Sequence, residues 1–513
     1  MAPNNEPDRI AKQHEKGKLS ARERIDALVD QGSFVETERH VVGRTHDFGL
    51  APKLDPGDGV LTGSALIGGR QVWLAAQDFT VLGGSLGEMH ARRIAHAAEM
   101  AIRTRTPFIQ INDSGGARIQ EGVLSLHGYG EIFRANTHAS GVVPQISIIL
   151  GPCAGGAVYS PAITDFILMV DGISNMYITG PDVIRQVTGE EISHEDLGGA
   201  DAHCTRSGVA HARFPNEAAC FAWLKRLLAY LPSNNSEAPP RADVPPPGNA
   251  SASTDGVADS PDRRTPELTE LVPEDEHAAY DVREVIASVC DRESFLEIHA
   301  EYARNVVVGF ARLARRSVGL IASQPLVLAG ALDIDASDKA ARFVRFCDSF
   351  NVPVISLVDV PGFLPGVTQE HGGIIRHGAK LLYAIAEATV PKIALILRKA
   401  YGGAFISMAS RGLGYDRVLA LGRAQIAVMG PQGAASVIFR HEIAAAADPD
   451  AERERKITEF REAVADPATA AGYGLVDLIL EPADVRRELV RSLEMLASKR
   501  EDRPARKHGN FPV

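Results

Sequence analysis

Two glycine-rich stretches decide the fold: Cys153-Ala154-Gly155-Gly156-Ala157 and Ala400-Tyr401-Gly402-Gly403-Ala404. Each follows an apolar run that is typical of a buried strand and precedes a run that favours a helix. Other motifs pair in the same order and at nearly constant spacing. The pairs are Ser33–Glu36 with Ser294–Glu297, Val81–Gly84 with Val327–Gly330, Asp113 with Asp359, and Gly180-Pro181 with Gly430-Pro431. So many ordered matches indicate an internal duplication.

The segment between the repeats is rich in proline, with Pro239-Pro240 and Pro245-Pro246-Pro247 close together. Such a composition cannot bury enough apolar surface to order itself, so it is typical of a linker. We therefore predict an N-terminal domain over residues 1–235, a linker over 236–266 and a C-terminal domain over 267–513. Each domain is long enough to have its own core.

Helical and strand patterns alternate within each repeat, which predicts an α/β fold with a mostly parallel sheet. In such sheets ligands bind at the carboxyl ends of the strands, where the glycine stretches lie. The predicted helices are Leu19–Asp30, Glu88–Arg103 and Lys339–Phe350, and the predicted strands are Gln71–Ala76, Phe108–Asn112, Gln145–Leu150, Val354–Val358 and Ile393–Leu397.

Composition excludes several classes of protein. The 513 residues carry a formal charge of −11, which argues against nucleic acid as the main partner. The five cysteines form no CxxC pair, which fits a reducing cytoplasm better than a disulfide framework or a zinc ribbon. The polar N-terminus resembles no export signal, and prolines and glycines interrupt the uncharged stretch Ala139–Thr164, so we expect no membrane span. No histidine spacing predicts a metal site.

The glycine turns are the strongest candidates for chemistry. Backbone N–H groups at a helix N-terminus can converge on one anionic oxygen, which is how an oxyanion hole is built. Alternatively, these glycines only allow close packing of a strand against a helix. Two copies at matching ends of a duplication favour function, and they suggest two enolate-like species. Asp113 and Asp359 are predicted to cap the turns that follow them.

Longer motifs strongly resemble the β subunits of acyl-CoA carboxylases, with the propionyl-CoA carboxylase type most similar. In the first half the motifs are Gly57–Gly63, Gln77–Glu88, Ile111–Val123, Pro144–Phe166 and Met176–Ile184. In the second half they are Ala336–Val354, Val358–Ala384, Ala388–Phe405 and Lys507–Asn510.

The resemblance implies two tandem crotonase-like (ClpP-like) β-β-α superhelix domains and a hexamer built as a trimer of dimers. It implies that carboxybiotin loses CO2, that the resulting biotin enolate removes the α-proton of an acyl-CoA, and that the acyl enolate captures CO2. Gly155 and Gly156 would hold the thioester enolate, and Gly403 and Ala404 the ureido oxygen of biotin. A weaker set of expected pocket residues comprises Gly115, Gly116, Ala117, Gly402 and Phe405.

The resemblance also implies a partner α subunit, which carries the biotin carboxylase and biotin carrier domains and uses ATP and bicarbonate. Neither a biotinylation motif nor an ATP-binding region occurs in this chain. Two alternatives stay open: the carboxyltransferase of a biotin-dependent decarboxylase of the methylmalonyl-CoA type, and a non-catalytic scaffold. The intact Gly155, Gly156, Gly403 and Ala404 weigh against the scaffold.

One position departs from propionyl-specific relatives. Ile406 stands where the resemblance implies aspartate, at the position that selects the acyl group. An aliphatic residue there makes acetyl-, butyryl- or longer acyl-CoA plausible, unless it only repacks the wall of the pocket. Lys392, a charge that opens an apolar strand, has no explanation in the sequence.

Overall fold

The computed structural model describes residues 6–45, 48, 50, 56–242 and 260–513. The chain divides into two compact units, Met1–Ala238 and Pro239–Val513. Each unit has its own eight-stranded sheet and its own apolar core.

The sheet of the first unit has the order β1-β2-β3-β4-β5-β6-β8, and β7 pairs with the far end of β5. Strands β1 to β3 are antiparallel, whereas β3 to β6 and β8 run parallel. The strands are β1 (Val35–Thr37), β2 (Val60–Ile67), β3 (Arg70–Gln77), β4 (Phe108–Ser114), β5 (Gln145–Ala154), β6 (Phe166–Val170), β7 (Asn175–Tyr177) and β8 (Ala212–Phe214).

The helices of this unit cover the sheet. They are α1 (Glu6–His14), α2 (Ala21–Leu28), α3 (Glu88–Thr104), α4 (Val123–Ala139), α5 (Tyr159–Ile163), α6 (Pro181–Thr188), α7 (His194–Gly198), α8 (Ala200–Thr205) and α9 (Glu217–Tyr230). Helix α3 buries Ala91, Ile94, Ala98 and Ala101, which recur every three or four residues along one face. Every residue of β4 is buried, as expected for a parallel strand whose two faces are both covered.

The second unit repeats this topology strand for strand, in the order β9-β10-β11-β12-β13-β14-β16, with β15 on β13. The predicted duplication is therefore confirmed. Its strands are β9 (Leu296–Ile298), β10 (Val306–Leu313), β11 (Arg316–Ser323), β12 (Val354–Val360), β13 (Lys392–Tyr401), β14 (Arg417–Leu421), β15 (Gln425–Ala427) and β16 (Leu478–Leu480). Its helices are α10 (Leu268–Leu271), α11 (Val282–Val289), α12 (Ile334–Ser349), α13 (Val367–Gly372), α14 (Ile374–Glu387), α15 (Gly402–Ala409), α16 (Pro431–Ile438), α17 (Arg440–Ala445), α18 (Pro449–Phe460), α19 (Pro467–Gly472) and α20 (Val485–Met495).

The strands that lead to the glycine turns are longer than the sequence predicts. Strand β5 continues past Leu150 to Ala154, and β13 continues past Leu397 to Tyr401. Both cross a bulge, where the apolar pattern is interrupted by polar residues, glycine or proline. An interrupted pattern hides the end of a strand from sequence analysis.

Much of the predicted linker, residues 243–259, lies outside the described residues. Its described carboxyl-terminal end is packed within the second unit, because the Thr265 N–H donates to the Ala483 carbonyl at 3.0 Å. Arg263 also donates to the Cys290 carbonyl at 2.8 Å. The linker bounds 236–266 stay a prediction.

The structure explains Lys392. Its Nζ donates to the carbonyls of Ile385, at 2.8 Å, and Ala388, at 2.7 Å, so it satisfies acceptors at the end of helix α14. The side chain is fully buried, and burial lowers the pKa of its ammonium group to about 8.

Candidate functional site

The first glycine turn begins where β5 ends. Residues 155–163 form one helical run, a 3-10 turn over Gly155–Val158 followed directly by α5. Gly155 has a φ of +63°, a left-handed conformation that a residue with a side chain adopts only at a cost of about 1–2 kcal/mol. The N–H groups of the first helical turn have no acceptor within the helix, and Ala154 provides no capping side chain. N–H groups of this kind at a helix N-terminus can donate to an anionic oxygen.

The second glycine turn has the same construction. Helix α15 begins at Gly402, directly after β13, and Tyr401 provides no side-chain cap. Gly402 has a φ of +56°, so it occupies the position that Gly155 occupies in the first unit. Gly403 and Ala404 therefore correspond to Gly156 and Ala157, one residue further along the turn than the pair expected in the first unit.

An aromatic ring packs against each glycine turn. A Cβ added to Gly156 would lie 3.0 Å from the ring of Tyr129, and one added to Gly403 would lie 3.4 Å from the ring of Phe363. Tyr129 lies outside the quoted motifs, and Phe363 lies within the motif Val358–Ala384 without being singled out there. Phe363 could have been found from the duplication, because it pairs with Leu332 in the second unit as Ala117 pairs with Leu86 in the first.

The weaker predicted residues of the first unit lie beside its glycine turn. Gly116 approaches the strand so closely that an added Cβ would be 2.9 Å from the Ala154 carbonyl. Arg118, fully buried, holds this segment through ion pairs of 2.7 Å to Asp58 and 2.7 Å to Glu121. Gly115, Gly116 and Ala117 are thus fixed next to Gly155 by the backbone and by Arg118.

In the second unit an apolar cavity of about 610 Å³ opens at the glycine turn. It brings together four of the predicted residues, Gly402, Gly403, Phe405 and Ile406. Ile406 is 45% exposed, so its side chain is accessible from the cavity. The remaining lining residues are Ile426, Ala427, Val428, Ala463, Val464, Thr469, Ala470, Tyr473 and Leu475.

The predicted capping role of Asp113 and Asp359 is wrong. The carboxylate of Asp113 lies 2.7 Å from Lys18 Nζ and 2.8 Å from Arg24, while Ser114 Oγ accepts the N–H of Gly116 in the turn. Asp359 likewise accepts from Arg398 Nε at 3.0 Å. Both carboxylates are fully buried, and a buried charge is stable only with such partners.

Two of the partners of these carboxylates, Lys18 and Tyr280, have shifted pKa values. Burial lowers the pKa of Lys18, against the opposing attraction of Asp113. Burial, followed by the negative charge of Asp359, raises the pKa of Tyr280 well above its usual value, so its hydroxyl remains a donor. No sequence pattern points to Lys18, Arg24 or Tyr280, because all three are distant from the glycine turns along the chain.

Within the described residues, no group of three or more His, Cys, Asp or Glu side chains is arranged to hold a metal ion. None of the helices in the described ranges is both long enough and apolar enough to cross a bilayer.

A family model for the carboxyl transferase domain matches residues 12–511. The chain belongs to this family. The carboxyltransferase subunit of propionyl-CoA carboxylase from Haloferax mediterranei is 54% identical over 506 residues, which cover 99% of this chain and 96% of that one. The methylmalonyl-CoA decarboxylase subunit alpha from Veillonella parvula is 52% identical, with 98% and 95% covered.

A solved structure of transcarboxylase 12S superimposes with a TM-score of 0.94 at 53% identity, and covers 99% of this chain and 94% of that one. That protein is described as a hexamer with methylmalonyl-coenzyme A and methylmalonic acid bound. The predicted family resemblance and the tandem crotonase-like fold are therefore confirmed.

Proposed function

We propose that this chain is the carboxyltransferase subunit of a biotin-dependent acyl-CoA carboxylase. The supporting observation is the pair of uncapped helical turns, at Gly155 and Gly402, each at the carboxyl end of the corresponding strand in a duplicated sheet. Transfer of a carboxyl group between biotin and an acyl-CoA requires two carbonyl oxygens to carry negative charge, and each turn supplies donors for one.

The thioester oxygen belongs to the first turn. When the α-carbon of the acyl-CoA loses its proton, negative charge develops on this oxygen, and the N–H groups of Gly155 and Gly156 stabilise it. Each such donor contributes roughly 3–4 kcal/mol when it matches the developing charge.

The residues of the second turn fit biotin. The N–H groups of Gly403 and Ala404 would hold its ureido oxygen, and the apolar cavity with Phe405 would take its rings. When bound on its carrier, biotin supplies the carboxyl group and accepts the α-proton, which explains why the chain needs no acid–base pair of its own. The partner would be an α subunit with biotin carboxylase and carrier domains that uses ATP and bicarbonate.

The relatives and the cysteines support a particular assembly and location. We propose a hexamer, as described for transcarboxylase 12S. It would be a trimer of dimers in which the N-terminal domain of one subunit faces the C-terminal domain of another. We propose a cytoplasmic location because all five cysteines are free and buried, as in a reducing compartment.

The decisive experiment measures carboxyl transfer by the purified chain. We expect it to release label from carboxyl-labelled methylmalonyl-CoA only when free biotin is added, because the second turn must be occupied. Reactions without biotin and reactions with a Gly156→Val variant serve as controls. If no carboxylated acyl-CoA, from malonyl-CoA to long-chain derivatives, loses label in a biotin-dependent way, the proposal is wrong.

A decarboxylase is the second candidate, since relatives of this type are as similar as 52%. Addition of the biotinylated partner subunit separates the two. A carboxylase fixes labelled bicarbonate onto acyl-CoA with ATP, whereas a decarboxylase releases CO2 from the carboxylated acyl-CoA without ATP.

A further inference from the structure

Both glycine turns are preceded by the same bulge. In the first unit Asn112 pairs with Ile149 and Ser114 pairs with Cys153, so Asp113 alone faces residues 150–152. In the second unit Val358 pairs with Ile396 and Val360 with Ala400, so Asp359 alone faces residues 397–399. A bulge bends its strand and changes the direction of the next residues. In each unit two residues separate the bulge from the glycine turn.

A buried carboxylate fills each bulge. In the first unit Asp113 lies so close to the bulge that a Cβ added to Gly151 would be 1.9 Å from its Oδ1. Its cations come from outside the sheet, because Lys18 precedes α2 and Arg24 lies on α2. Arg24 also donates to the Leu150 carbonyl at 2.7 Å, which ties the bulge backbone to the same cluster.

In the second unit the bulge itself supplies two of the partners. Arg398 Nε donates to Asp359 Oδ2 at 3.0 Å, and the backbone N–H of Lys399 donates to Oδ1 at 3.1 Å. Tyr280 adds a hydrogen bond of 3.1 Å to Oδ2. Arg398 also donates to the Ala278 carbonyl at 2.9 Å, outside the sheet.

The two units share the buried carboxylate and differ in the origin of its cationic partner. Gly151 of the first unit and Arg398 of the second occupy equivalent positions. The arginine that pairs with the carboxylate is on α2 in the first unit (Arg24) and in the bulge in the second (Arg398). The carboxylate has stayed in both. Since a buried charge costs free energy wherever it occurs, its retention with different partners indicates that the carboxylate has a task in both units.

We propose that Asp113 and Asp359 are positioning residues for carboxyl transfer. Each carboxylate locks the bulge that directs the next glycine turn, so Asp113 acts on the thioester side and Asp359 on the biotin side. Neither touches substrate. This inference rests on the proposed function, because it assigns one turn to each reactant.

The test compares Asp113→Asn and Asp359→Asn in the full-length chain, with methylmalonyl-CoA and free biotin as substrates. A misdirected oxyanion turn loses donors to its own reactant, so kcat should fall roughly tenfold or more in both variants. The KM for methylmalonyl-CoA should rise at least about threefold only in the Asp113 variant, and the KM for biotin only in the Asp359 variant.

Asp291→Asn is the matched control. Asp291 is also buried, pairs with Arg486 at 2.7 Å and accepts the N–H groups of Ala314 and Arg315, at 3.0 and 2.8 Å. It lies beside the β10–β11 hairpin and away from the glycine turns. Its loss should lower the melting temperature and leave both KM values and the kcat per folded chain unchanged.

Milder variants keep the test decisive if the aspartate variants do not fold. Lys18→Met removes one of two cations of Asp113, and Tyr280→Phe removes one hydrogen bond from Asp359. The same division between the two KM values, on a smaller scale, supports the inference. Unchanged KM values, or equal changes in both, overturn it. A wild-type chain without biotin-dependent transfer would instead overturn the proposed function.

Discussion

At the scale of single residues, the site is made of backbone. Gly155 and Gly402 share a left-handed φ, and the proposed donors of each turn are backbone N–H groups. The glycines could be predicted because two repeats show them at the same place. Lys18, Arg24 and Tyr280 could not, because only the tertiary fold brings them to the bulges.

We propose that Ile406 selects the acyl group, which would share the cavity at the second glycine turn with biotin. Ile406 lines an apolar cavity. If a carboxylate replaced it, a long acyl chain that entered the cavity would displace water from this charge, which costs free energy. We expect Ile406→Asp to lower kcat/KM for butyryl-CoA and longer substrates about tenfold relative to propionyl-CoA, a difference of about 1.4 kcal/mol.

A panel of acyl-CoA substrates, measured with the biotinylated partner, checks this. The Ile406→Val variant keeps an apolar side chain and should retain the wild-type profile. An unchanged profile for Ile406→Asp would show that the residue only packs the wall.

At the scale of elements, the alternation of strands and helices was predictable, and the positions of several ends were not. Helix α3 begins at Glu88 as predicted, whereas α12 begins at Ile334, ahead of the expected Lys339. Asp333 explains the earlier start, because its side chain accepts the N–H of Ala336 as an N-cap. Asp335 in the first turn and Asp338 in the second interrupt the apolar pattern there.

Lys392 donates to carbonyls at the end of α14, so its removal should lower the free energy of unfolding. Lys392→Met would leave the Ile385 carbonyl without its ammonium donor, which should lower the free energy of unfolding by about 1–3 kcal/mol. In the folded protein burial lowers the pKa of Lys392 to about 8, below its ordinary 10.5. Between these pH values the unfolded chain holds more protons, so this group adds stability as pH rises.

The measurement is the melting temperature of wild type and Lys392→Met at about pH 7.5 and about pH 9.5, on either side of the shifted pKa. The difference in melting temperature between wild type and Lys392→Met should be larger at the higher pH. A gap that stays constant or narrows would contradict the assigned role. Lys225→Met, which removes an exposed lysine of α9 in the first unit, provides the comparison for a general change in charge.

At the scale of the whole molecule, the duplication was readable from sequence because paired motifs keep their order. The assembly was implied only by resemblance. Both units expose large apolar side chains, among them Ile119, Val123 and Val187 in the first and Val428 and Val437 in the second. Such side chains mark an interface where they form a contiguous patch.

We therefore expect the full-length chain to sediment as a species of six chains at micromolar concentration. Analytical ultracentrifugation over a dilution series checks this. A single-chain species throughout the series would contradict the hexamer, while a two-chain species would show that only the dimer forms without the partner subunit.

The different origin of the cations at the two bulges has a practical consequence for engineering. Both positive charges that neutralise Asp113 come from the first 24 residues, whereas Asp359 draws on its own sheet. Trimming the amino terminus, or fusing a bulky tag against α2, is therefore expected to damage the proposed thioester half of the site and to spare the proposed biotin half.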